Sequence, residues 1–70
     1  MKNAITPRMT ATLHKLTNKY TSLDYVELKK ERVCDEYYLE AGISGTFNKT
    51  FVINDNGQCY DLAGNQEPLS

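Results

Sequence analysis

The stretch YYLEAGISGTFNKTFVINDNGQCYDL, residues 37–62, decides how this chain folds. In its first part Tyr37, Leu39, Ala41 and Ile43 alternate with Tyr38, Glu40 and Gly42, the period of a strand with one buried face. Phe47 to Ile53 reads as a second strand with Phe51 and Ile53 on its apolar side, and a third follows Gln58. Two turn signals join them. Ser44-Gly45-Thr46 reads as a three-residue loop that sets Ile43 against Phe47 and Leu39 against Phe51. Asn56-Gly57 is the pair favoured by a two-residue type I′ loop, whose central residues both need positive φ, and it sets Ile53 against Tyr60 and Phe51 against Leu62. Both loops keep the apolar residues on one face, and this agreement supports the register.

Toward the N-terminus, Tyr25 to Val33 reads as a fourth strand with Val26 and Leu28 inward, joined to Tyr37 by a turn near Cys34-Asp35. That turn brings Val26 and Leu28 alongside Ile43 and Ala41. A charged second helix beginning at Ser22 is the other reading of this segment, and the strand is preferred. Further back, Met9, Leu13, Leu16 and Tyr20 recur at spacings of four, three and four, one stripe of a helix from about Pro7 to Tyr20. Thr6 is its expected N-cap and Pro7 its first residue, where a missing N–H costs nothing. Leu23 continues the spacing, so a longer helix stays open. Thr10, Thr12 and Thr17 weaken the intrinsic propensity, so the helix depends on burying its stripe. The fold class is α+β: an N-terminal amphipathic helix packed on a four-stranded antiparallel meander sheet, with one face of the sheet covered.

Seventy residues provide for one core and one domain, 1–70, with residues 1–5 as a lead-in and 64–70 as a flexible polar tail. A core of this size rarely supplies more than about 3–5 kcal/mol, and small scaffolds recover the shortfall with disulfides, a metal or a partner subunit. The two cysteines, Cys34 and Cys59, follow no secretory leader pattern and read as reduced thiols of a cytoplasmic protein. With the single His14 they offer three soft ligands in no metal-site spacing, so neither metal nor cofactor is expected. Self-association is the remaining means of support, and a homodimer is the expectation. No apolar run is long enough to cross a membrane as a helix.

Charge is unevenly distributed. Residues 1–22 hold Lys2, Arg8, Lys15 and Lys19 with no acid, whereas all nine acids of this chain of net charge −1 lie beyond them. Arg8, Thr12, Lys15 and Lys19 share a helix stripe, and with Lys2 they are the candidate anion-binding set for phosphate or nucleic acid. The plainer reading, a solvated helix face, is preferred, since nucleic-acid domains are far more basic.

Tyrosine supplies five of the seven aromatic residues. In the register above Tyr20, Tyr37 and Tyr60 point to the core or its rim, while Tyr25 and Tyr38 share the uncovered sheet face with Val33, Glu40, Val52 and Cys59. That face is richer in aromatic and apolar groups than solvation requires, and tyrosine is frequent at binding hot spots. Tyr25, Tyr38, Glu40 and Val52 are therefore the candidate protein-binding residues. His14 has no placed partner, Asp35-Glu36 has no apolar pocket and Cys59 no activating group, so no catalytic set emerges. The expected function is a small non-enzymatic module that docks on another macromolecule as an inhibitor or regulator. The alternatives are a nucleic-acid or phosphate-binding module on the basic stripe and a self-assembling structural subunit.

Overall fold

A computed structural model describes residues 4–33 and 35–69. Helix α1 spans Pro7–Lys19, and strands β1 Tyr25–Lys30, β2 Tyr37–Ile43, β3 Thr46–Ile53 and β4 Cys59–Asp61 form one antiparallel sheet in the order β1-β2-β3-β4. Residues 25–30 are thus a strand and not a second helix. Thr6 caps α1 as its sequence suggests: its Oγ1 accepts from the Met9 N–H at 3.1 Å, and the Thr6 N–H donates to the Met9 sulfur at 3.4 Å. The same Oγ1 donates to the Asp55 carbonyl at 3.1 Å, tying the start of the helix to the β3–β4 turn.

Met9 and Leu16 are fully buried against Leu39, Ala41, Phe51, Ile53 and Cys59, with Leu13, Tyr20 and Leu23 packed around them. The tyrosine ring of Tyr20 lies on Phe51, centroids 4.9 Å apart. The helix seats on β3. One helix does not cover the whole face, and Val26 and Leu28 of β1, expected inside, remain 45% and 42% exposed.

The registers differ from those expected. Val26 pairs with Ala41 and Leu28 with Leu39, a slip of two residues that leaves both on the intended face. Leu39 pairs with Ile53 and Ala41 with Phe51, again a slip that preserves parity. Near the turn the ladder breaks: Ile43 pairs with Thr46 and Gly42 with Thr50, so Phe47, Asn48 and Lys49 have no opposite residue and Phe47 is 84% exposed. Ser44-Gly45 is the two-residue turn here, held by Asp24, whose Oδ1 accepts from the Ser44 N–H at 2.8 Å.

The third slip changes faces. Ile53 pairs with Cys59 and Val52 with Tyr60, so Cys59 is buried in the core and Tyr60 points to the other side, the reverse of the expectation. The cause is Asn54. Its side-chain oxygen accepts from the Asn56 and Gln58 N–H groups at 3.1 and 2.9 Å, and the Asn54 N–H bonds the Gln58 carbonyl. This closes a three-residue loop, 55–57, in which only Gly57 has positive φ (84°), whereas a type I′ turn would require it of Asn56 as well. A shift of one residue exchanges the two faces of a strand.

The tail is tied back. Tyr60 bridges Gln66, Asp61 and Glu67 donate backbone N–H groups to Asn65 and Cys59 carbonyls, and Leu69 packs on the core. Tyr20 donates its hydroxyl to Glu67, and Lys19 Nζ donates to the Pro68 carbonyl at 2.6 Å. Through residue 69 the tail, polar in composition, makes these long-range bonds.

Candidate binding face

The face of the sheet opposite α1 carries Tyr25, Glu27 and Lys29 from β1, Tyr38, Glu40 and Gly42 from β2, Thr50 and Val52 from β3, and Tyr60 from β4. Alternation along each strand puts them there. All four candidate protein-binding residues, Tyr25, Tyr38, Glu40 and Val52, lie on this face and are half-buried. Glu40 and Val52 are direct cross-strand partners.

The face has two unlike halves. Toward the start of β1, Tyr25 lies across Gly42: a Cβ there would stand 2.9 Å from the tyrosine hydroxyl and 2.8 Å from the Lys49 carbonyl. The hydroxyl reaches Glu40 Oε1 and Thr50 Oγ1, both at 3.3 Å, and Lys29 Nζ donates to Glu40 Oε2 at 3.0 Å. That bond, with the charge of Glu40, holds the Lys29 ammonium above its ordinary pKa. Tyr25 and Glu40 are thus engaged within the fold, and they form the fixed, polar half of the face.

Toward the other end of β2 the surface opens into a shallow hollow of about 450 Å³. Tyr38, Val52 and Leu62 give it an apolar floor, and Glu31, Glu36 and Glu40 supply carboxylates around it with no cation among the lining residues. Leu62 is 54% exposed. Leu62, Asn54, Glu31 and Glu36 are not among the binding candidates read from sequence: the expected register turns Leu62 inward against Phe51, and Glu36 enters there only with Asp35 as a carboxylate pair. Val33, expected on this face, stands beyond the end of β1, 92% exposed.

The basic stripe is partly used by the fold. Lys19 lies 3.7 Å from Glu67 Oε1 and donates to the tail, while Thr12 Oγ1 donates to the Gly57 carbonyl at 2.5 Å. Arg8 and Lys15 are exposed, and Lys2 and Cys34 fall outside the described residues. His14 is exposed on the helix, and Cys59 is a buried free thiol whose pKa burial pushes up to about 11, the opposite of an activated nucleophile. Among the described residues no helix is long and apolar enough to cross a membrane. Comparison of the chain with protein-family models, curated proteins and solved structures finds no match.

Proposed function

We propose that this protein is a small, non-enzymatic binding module of the cell interior that docks another protein on the face opposite its helix, as an inhibitor or regulator. The observation that carries this reading is the hollow itself: an apolar floor of Tyr38, Val52 and Leu62 beside Glu31, Glu36 and Glu40, which no element among the described residues covers. Apolar anchors surrounded by polar groups are the general form of a docking surface. Its charge fits a partner segment that presents an apolar side chain flanked by lysine or arginine. Tyr25 and Glu40 hold the adjoining surface in shape, so little ordering is left for the moment of binding. The buried free thiol of Cys59 suits a reducing compartment.

The test is capture from cells of the source organism with the immobilised protein, comparing three forms. The wild type is expected to retain a partner that Tyr38→Ser/Val52→Thr loses, both forms having the same circular dichroism. Arg8→Gln/Lys15→Gln should retain it, also after nuclease treatment. A bound species lost with the arginine and lysine, released steeply by salt and sensitive to nuclease would replace this reading by nucleic-acid binding through the helix stripe.

A further inference from the structure

The two edges of the sheet are treated differently. The chain's own tail closes β4 through the Tyr60–Gln66 bridge and the bonds from Asp61 and Glu67. Strand β1 pairs with β2 on one side and, among the described residues, with no strand on the other. The bond from the Glu31 N–H to the Glu36 carbonyl at 2.7 Å marks that pair as hydrogen-bonded. Alternation along the antiparallel ladder then turns the backbone groups of Tyr25, Glu27 and Lys29 toward β2 and those of Val26, Leu28 and Lys30 outward. On this same edge Val26 and Leu28 remain exposed, since α1 sits over β3.

We propose that this edge is the seam of a symmetric homodimer, with β1 paired antiparallel to the β1 of a second copy in one continuous sheet. Only residues with outward backbone groups can bond across the seam, so Val26, Leu28 and Lys30 must meet their own kind. The registers that engage most of the strand are centred on Glu27, Leu28 or Lys29. Centring on Glu27 sets that carboxylate against its copy, and centring on Lys29 does the same with ammonium groups; like charges directly opposite are destabilising. Centring on Leu28 sets Glu27 against Lys29 of the second copy, twice by symmetry. It also lays Leu28 on Leu28 and Val26 on the aliphatic stem of Lys30. The charge pattern therefore selects one register, and that register is the one that joins the apolar residues. The two-fold axis stands perpendicular to the sheet, so both helices lie on one face with the Val26 and Leu28 pairs as a strip between them. None of the seam residues Val26 to Lys30 lines the hollow, which reaches this edge only at Glu31, so the seam holds whether or not a partner docks there.

Sedimentation equilibrium of the full chain over a wide concentration range tests it. The wild type is expected at the mass of two chains and Glu27→Lys at the mass of one, as is Lys29→Glu. An equimolar mixture of the two variants should return to two, because every charge regains an opposite partner. Lys29→Glu also places a like charge beside Glu40; should it fail to fold, Leu28→Lys serves, expected folded and at the mass of one chain. A wild type of single-chain mass at the highest concentration overturns the proposal. So does a dimer indifferent to Glu27→Lys, including one lost only in Tyr38→Ser/Val52→Thr.

Discussion

Substituting Gly57 by alanine tests whether the β3–β4 turn is seated on the helix or merely near it. Gly57 has φ 84°, and a Cβ added there would stand 3.0 Å from the Arg8 Cβ, 3.0 Å from the Arg8 carbonyl oxygen and 3.1 Å from Thr12 Oγ1. Two of those neighbours are helix backbone or its first side-chain carbon and cannot swing aside. Gly45 supplies the control: its φ is 79°, yet nothing lies within 4 Å of the same added atom. The left-handed backbone costs an L residue about 1–2 kcal/mol, offset by about 0.4–1 kcal/mol from the stiffer unfolded chain, so Gly45→Ala should cost about 1 kcal/mol. Gly57→Ala adds an overpacking term of about 1–3 kcal/mol and displaces the Thr12–Gly57 hydrogen bond, for a total of about 2–4 kcal/mol. Against a stability of about 3–5 kcal/mol, most of the fold's margin goes. Urea unfolding followed by far-ultraviolet circular dichroism reads the difference. With a slope of about 1 kcal/mol per molar, the midpoint should fall about 1 M for Gly45→Ala and 2–4 M for Gly57→Ala. Equal midpoints for the two variants would refute the seating of the helix on this turn.

Thr6→Ala removes the N-cap acceptor and the bond to Asp55, and should cost about 0.5–2 kcal/mol by the same urea assay. Ile53→Ala empties a fully buried position and should cost about 2–5 kcal/mol, taking most or all of the fold's margin at 25 °C. Tyr20→Phe keeps the ring on Phe51 but deletes the hydroxyl bond to Glu67, so its midpoint should fall and trypsin should cut faster after Lys19, whose side chain the tail holds through Pro68. Tyr20, Lys29, Lys30 and Cys59 all hold their protons more tightly in the fold, mainly through Glu67, Glu40, Asp35 and burial respectively. Their stabilisation is complete below their unfolded pKa values, the lowest being 9.0 for the thiol. It is lost as pH rises through the folded ones, so urea midpoints should drop steadily above pH 9. In a Cys34→Ser background the remaining thiol should react with a disulfide reagent only at the rate of global unfolding; immediate reaction would contradict its burial.

Helix, strand count and facing of the first three strands were legible in the residues because each rests on a strong local signal. The four-three-four spacing of Met9, Leu13, Leu16 and Tyr20 and the alternation from Tyr37 to Ile43 have no competing reading of equal strength. Registers were not legible, since slips of two residues cost no parity and so leave no trace in an alternating pattern. The error that mattered arose at Asn54. Asn-Gly is a strong type I′ signal only when no neighbouring side chain offers the backbone a better closure, and Asn54 does so with two N–H bonds. The Asn-Asp-Asn-Gly run contained that warning: an asparagine just before the loop is an Asx-turn former, and its preference carried Tyr60 and Leu62 to the face where the candidate hollow lies.

The exposure of Val26 and Leu28 follows from dimensions that were available from the outset. A helix is about 10–12 Å across and strands lie about 4.8 Å apart, so one helix roofs about two strands of a four-stranded sheet. Once α1 is centred on β3 by Phe51 and Ile53, β2 lies within its reach and β4 is finished by the tail through Glu67 and Leu69. Strand β1 is left over. An alternating apolar strand whose inner face is only partly roofed by the described residues is a surface with an unmet requirement, and in the proposed seam Glu27 and Lys29 on its other face select the register in which a second copy meets it.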